Sequence, residues 1–240
     1  MNKTLTKTIF RKIKNASLRH DLLRSEDIIG VGMSGGKDSL VLLDFLCSIQ
    51  KYTPLNFTLK PIHIDLGFGN DLTSLHEFCA ARSLELWVQS TNIGAVVFEY
   101  REEKHPCSLC SNMRRGALNR AAKELGCNRV ALGHHRDDVV NTLLMSILFE
   151  KQFHVFKPLT YLDRIDLTKI EPMIYVSEEE IVRYTEENAF QIVKNRCPAD
   201  GKTKRTEVKH LLQQITAVYP QFADNLVGSL ENVDINSLWI

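Results

Sequence analysis

The chain has 240 residues, 44% of them hydrophobic, enough for one full α/β core or one core with a small appendage. Its formal charge of +1 gives no global attraction to a polyanion, so any nucleic-acid contact must come from local basic patches. The longest apolar stretch, Leu40 to Leu46, is broken by Asp44 and falls short of the about 18 residues of a membrane span; the charged N-terminus lacks a signal-peptide core, so a cytoplasmic protein with no membrane contact is expected.

Two basic patches stand out, Lys7 to Arg19 and a second run holding Lys194, Arg196, Lys202, Lys204, Arg205 and Lys209. The first strand is expected at Asp27 to Met33, followed by the glycine loop Ser34-Gly-Gly36 and a helix from Lys37 to Ile49, with apolar positions at Leu40, Leu43, Leu46 and Cys47. A second strand fits Leu59 to Asp65, a helix Leu72 to Arg82, and a third strand Glu85 to Gln89. Leu109 to Leu125 reads as a helix with Gly126 at its C-cap, Arg129 to Leu132 as a fourth strand, and Asp138 to Phe149 as a helix. Ile170 to Tyr175 fits a fifth strand, which Pro172 assigns to an edge or a strand end, and Ser177-Glu-Glu-Glu180 is a capping box opening another helix. Strands alternating with helices predict a doubly wound, parallel, five-stranded α/β sheet, whose ligands lie beyond the carboxyl ends of the strands.

Ser34-Gly-Gly-Lys-Asp-Ser39 follows a strand and opens a helix, so backbone N–H groups and the positive helix end converge on a spot that suits an anion. Lys37 adds a point charge, and Ser34 and Ser39 add hydroxyls. It is not a Walker A loop, which requires Gly where Val31 sits and Ser or Thr where Asp38 sits. The hexapeptide resembles the signature of the pyrophosphatase-loop (PP-loop) ATPases, which adenylate a substrate oxygen and release pyrophosphate.

Six cysteines in a chain expected to be cytoplasmic point to metal or redox chemistry, not to a disulfide scaffold. Cys107-Ser-Leu-Cys110 opens the helix of Arg114 and Arg115, where thiolates gain from the helix end and from cations, and Cys197 sits in a loop before Pro198. Cys47, Cys79 and Cys127 fall at apolar positions and read as packing residues. A structural zinc site would need a fourth ligand, for which His105 is on offer; a thioredoxin-like pair lacks its usual setting, and two unligated thiols are the plain alternative. An iron–sulfur cluster with three thiolates fits best, because it leaves one iron open.

Gly133-His134-His135-Arg136-Asp137-Asp138 follows the fourth strand on the same edge, where Gly133 would let a nucleotide pack closely. Its carboxylates have two candidate jobs, holding Mg²⁺ against phosphates or capping a helix; Asp137 is assigned the cap and Asp138 the site. His134 and His135 read equally well as scaffold or as ligand contacts.

Taken with Cys107-Ser-Leu-Cys110-x-x-x-Arg-Arg-Gly116, the segment Leu132 to Asp138 resembles the TtcA family of tRNA 2-thiocytidine synthetases, over about Ser34 to Leu211. The resemblance implies a 4Fe–4S cluster on Cys107, Cys110 and Cys197; some relatives carry a second late C-x-x-C where this chain has Ala199 and Asp200. It implies a PP-loop domain over 27–200, flanked by a basic helical segment, 1–26, and a helical tail, 201–240. Nucleotide binding is expected at Ser34, Gly35, Gly36, Lys37, Asp38, Ser39, Asp65 and Gly133, and catalysis at Lys37, Asp38, Arg114 and Asp138. ATP with Mg²⁺ would adenylate the C2 oxygen of a cytidine in tRNA, and sulfur from a desulfurase-derived or inorganic donor would replace it; a homodimer is left open. Rival expectations are a uridine or small-molecule acceptor, or a nucleotide- and redox-sensing module without turnover.

Overall fold

The apolar run after Asp27 becomes β1, Ile28–Gly32, which buries Ile29 and Val31 on one face and brings Gly30 against Ile62 and Ala122 on the other. In this computed structural model, which describes residues 3–100, 106–194, 196–198, 204–237 and 239, β1 is the centre of a mixed sheet. Thr58–Asp65 (β2), Trp87–Ser90 (β3), Arg129–Ala131 (β4), Leu159–Leu162 (β5) and Leu167–Ile170 (β6) join it in the order β3-β2-β1-β4-β6-β5. All neighbours run parallel except β5, which is antiparallel to β6. The strand order reverses between β1 and β4, so the crevice at their carboxyl ends is the place for a ligand.

The helices are Lys3–His20 (α1), Lys37–Tyr52 (α2), Thr73–Ala80 (α3), the single turn Ile93–Ala95 (α4), Pro106–Glu124 (α5), Arg136–Met145 (α6), Glu178–Glu187 (α7), Lys204–Val218 (α8) and Phe222–Glu231 (α9). Side chains alternate between two cores, as the twofold period of a strand requires: Ile29, Val31 and Ala131 join one, Ile62, Ile64 and Val130 the other. The first also receives the Leu5, Ile9, Ile13, Ala16 stripe of α1 and most of α2; the second is covered by Ala117, Leu118, Ala121 and Ala122 of α5. Helices therefore cover both faces, as expected. Gly126, at φ +75, ends α5, and both halves of the Ser177–Glu180 capping box open α7.

The fifth expected strand is corrected in place and number. Only Ile170 of the expected segment lies in a strand; the Glu171 N–H still reaches the Pro158 carbonyl at 2.9 Å, but Pro172 has no N–H with which to continue a ladder. The sheet instead gains the β5–β6 hairpin, closed by a 3-10 turn at Asp163–Ile165 and a left-handed Asp166, giving six strands instead of five and one antiparallel edge. No helix among the described residues is long and apolar enough to cross a membrane.

Candidate active site

The chain leaves β1 through Met33, whose N–H reaches the Ile62 carbonyl at 2.8 Å, and turns into α2 at Gly35 and Gly36. Ser34 Oγ accepts from the Gly36 N–H at 3.2 Å and donates to Ser39 Oγ at 3.2 Å; Ser39 donates on to the Gly36 carbonyl at 2.9 Å. The two hydroxyls thus brace the turn, while no side chain caps α2, so its first N–H groups point outward as an anion site. Gly35 is required twice: φ is +81, and a Cβ would stand 2.7 Å from Val193, whose N–H donates to the Gly35 carbonyl at 2.9 Å.

Lys37 Nζ lies 2.9 Å from Asp38 Oδ1 and 3.3 Å from Glu178 Oε1. Burial works to lower its ammonium, but the two carboxylates outweigh it and hold the group above the usual lysine range. Lys209 of α8 spans both Glu178 oxygens, 2.8 Å from Oε1 and 2.7 Å from Oε2; burial would raise this carboxyl, yet Lys209 and Lys37 hold it below its ordinary value. Glu178 had been legible only as a first-turn acid of a capping box, and its place beside Lys37 is a functional contact that sequence reading missed.

Gly133 packs on the loop itself. A Cβ there would stand 3.1 Å from the Asp38 carbonyl carbon and 3.3 Å from the Ser39 nitrogen, so the protein itself supplies one close approach, between two backbones. Next to it His135 is buried, with Nε2 3.7 Å from Asp38 and 3.4 Å from Asp138. The cap of α6 is Asp138 and not Asp137: Asp138 Oδ2 accepts the His135 N–H at 3.1 Å, because the third helical position is the one that can reach back. Asp137 instead accepts the Glu178 N–H at 2.8 Å and caps the neighbouring α7. Asp138 Oδ1 lies 3.7 Å from the Arg205 guanidinium. His134 Nδ1 meets the fully buried Glu171 at 3.0 Å. Asp65, at the carboxyl end of β2, spends Oδ1 on the Gly67 N–H at 2.9 Å, a local turn.

Cys107 is exposed at the start of α5, and Cys110 and Cys197 are half-buried. Burial pushes the Cys110 thiol up, Arg114 pulls it down, and Cys197 and Cys107 push it up again, so the three sulfurs share one electrostatic neighbourhood. The expected lowering by helix end and cations is overturned at Cys110, where burial wins. Among the described residues no three His, Cys, Asp or Glu side chains stand in metal-binding geometry, so the thiols are neighbours and not a closed cage. The segment before Cys197 is fixed by the Val193–Gly35 bond, and Arg196 reaches to 3.9 Å of a Cβ on Gly69, beyond the end of β2. Arg114 is exposed, and its charge acts on both Cys110 and the buried His63. The remaining cysteines lie elsewhere: burial raises the thiols of Cys47 and Cys79 to about 11, and Cys127 is buried. Three reachable thiols and no fourth match a donor set for a cluster with one open iron. His105, Ala199, Asp200 and Lys202 lie outside the described residues.

A family model described as a PP-loop domain matches residues 5–215. A tRNA-cytidine(32) 2-sulfurtransferase of Paracidovorax citrulli is 33% identical over 95% of this chain and 75% of its own length. Its counterpart in Haemophilus ducreyi is 34% identical, over 95% and 73%. Among solved structures, the U34-tRNA thiolase NcsA from Methanococcus maripaludis with its 4Fe–4S cluster superposes with a TM-score of 0.81 at 26% identity, covering 95% of this chain and 78% of NcsA.

Proposed function

We propose that this chain, which belongs to the PP-loop domain family and within it to the tRNA-cytidine(32) 2-sulfurtransferases, uses ATP to replace the C2 oxygen of a tRNA cytidine with sulfur. The observation that carries the reading is the Val193–Gly35 bond, because a tie between the phosphate loop and a residue four positions before Cys197 supports thiol and nucleotide chemistry on one rim.

The open N–H groups at the start of α2 and the Lys37 ammonium would hold the ATP phosphates, with Ser34 and Ser39 keeping the turn in shape. The C2 oxygen of the base attacks the α-phosphorus, the bond to the β-phosphate oxygen breaks, and pyrophosphate leaves, so a poor leaving oxygen has become part of AMP. Arg114, beside Cys110, is the exposed cation suited to the charge that builds on the α-phosphate. Asp38, held by Lys37, and Asp138, held by its helix, flank His135 and would line the edge that receives the base. Cys107, Cys110 and Cys197 would hold a 4Fe–4S cluster, which supplies the sulfur that displaces AMP from C2. Mg²⁺ would arrive on the triphosphate, and a desulfurase-derived or inorganic sulfide would renew the sulfur in a cytoplasmic setting.

A uridine acceptor is the second reading, favoured by the likeness to a U34-tRNA thiolase. Mass spectrometry of tRNA nucleosides from a deletion strain tests both: loss of 2-thiocytidine supports the first, loss of a 2-thiouridine the second, and an unchanged set of thionucleosides rejects both. Pyrophosphate release that depends on tRNA separates an enzyme from a sensing module.

A further inference from the structure

At the carboxyl ends of β4 and β6 a histidine and a glutamate are joined in a way that the adenylation scheme does not use. Glu171 has 0% exposure. Its Oε2 lies 3.0 Å from His134 Nδ1, while Oε1 makes no hydrogen bond and has only the Lys169 ammonium at 3.3 Å. A buried carboxyl is costly unless each oxygen finds a polar partner. Lys169, itself on β6, answers one oxygen, and the His134 ring answers the other.

The ring's setting aims it. Phe156 packs against it with centroids 5.0 Å apart, and Nδ1 is turned inward to Glu171. The side chain is nevertheless 39% exposed, so the ring keeps a face or edge open to solvent while Nδ1 is held by Glu171. His134 directly follows Gly133, which rests on the backbone of Asp38 and Ser39, and β4 pairs with β1, the strand that ends in the phosphate loop. His134 therefore stands at the carboxyl end of β4, beside the switch in strand order where a nucleotide would enter.

Resting on the ATP reading above, we propose that Glu171 is a positioning residue: by holding Nδ1 it fixes the His134 ring so that Nε2 serves the phosphates of bound ATP.

The charged groups facing His134 agree. Burial works against the imidazolium, but Glu171 and then Asp138 outweigh it and Lys169 opposes only weakly, so the imidazole is held above its usual 6.5. The sign follows. A histidine with a raised value is a cation below that value and neutral above it, so ATP should bind less well as pH rises through the window above 6.5.

The test is ATP binding to the full chain by isothermal titration calorimetry from about pH 6 to pH 9, with His134 followed by NMR in the same samples. Wild-type affinity is expected to fall roughly tenfold across the range. In His134→Asn that fall should be absent, leaving only the protonation of ATP itself, and in Glu171→Gln it should move to lower pH. A purely structural Glu171 would lower the melting temperature of Glu171→Gln but leave the pH profile in place, and that outcome overturns the inference. If Glu171→Gln fails to fold, the wild-type NMR titration decides: a His134 midpoint above 6.5 supports the proposal and one at or below 6.5 overturns it. A flat profile with ATP still bound sinks this inference alone, whereas no ATP binding at any pH sinks the ATP reading and this inference with it.

Discussion

Val193 donates its N–H to the Gly35 carbonyl over 2.9 Å, and the pair is so close that a Cβ on Gly35 would stand 2.7 Å from the Val193 side chain. This contact fastens the segment that carries Cys197 to the loop expected to carry phosphate, so the two halves of the chemistry share one hinge.

Gly35→Ala should therefore damage both halves together. The new methyl group forces a positive φ on an L-residue, at about 1 to 2 kcal/mol, and also pushes Val193 away. ATP affinity should fall roughly tenfold or more, and iron loading after reconstitution should fall with it. Gly36→Ala is the control: its nearest neighbour is Ser34 Oγ at 3.4 Å and its φ is −82, so iron loading should be retained. Calorimetry with ATP and iron analysis of the two variants check this.

Glu178 holds the loop lysine in competition with any phosphate. With Oε1 3.3 Å from Lys37 and Oε2 2.7 Å from Lys209, its negative charge would face the anion that the loop invites. Glu178→Gln removes that charge, so ATP should bind about three- to tenfold more tightly, the scale of one partly exposed ion pair. Lys37→Ala should act in the opposite direction and abolish pyrophosphate release. Binding isotherms and a pyrophosphate assay on the two variants measure both signs.

Acid should loosen the junction of α1 and α7 before the sheet. Lys12 Nζ contacts both Glu180 oxygens, at 2.7 and 2.8 Å, and the Ser177 N–H donates to Oε2 at 2.8 Å. Burial works to raise the Glu180 carboxyl, but Lys12 and Ser177 hold it below its usual 4.5. A depressed carboxyl contributes stability that is present above 4.5 and is lost as pH falls through the lower, folded value. Glu180→Gln should cost about 1 kcal/mol near neutrality and nothing at the acid end, as read from urea unfolding midpoints at several pH values.

Most of the scaffold was visible in the chain because its signals are local. Asp27 to Met33 and Arg129 to Leu132 are apolar runs closed by polar turns, and the structure trims each only at its ends. The β5–β6 hairpin was hidden because its strands have four residues each and carry Thr160, Thr168 and Lys169, too short and too polar to stand out from a loop. Within the expected strand, Ile170 to Tyr175, apolar Ile174 is instead buried in a turn beyond Pro172. At the site, the glycine loop and the Cys107–Cys110 spacing were readable for the same local reason. The partners of Lys37 and His134 were not: Glu178 and Glu171 come from distant parts of the chain, and only the strand order brings them there. The Asp38–Ser39 backbone against Gly133 was not legible either, since a sequence marks where a side chain must be absent without saying what fills the space.

The central claim is that Cys107, Cys110 and Cys197 act as one thiol set beside the phosphate loop. Reconstitution of the full chain with iron and sulfide under nitrogen, followed by visible absorption and iron analysis, tests it most directly. Wild type and Cys47→Ala should give the broad absorption of a 4Fe–4S cluster, and Cys107→Ala, Cys110→Ala and Cys197→Ala should each lose it. A wild-type spectrum and iron content in Cys197→Ala would contradict the claim.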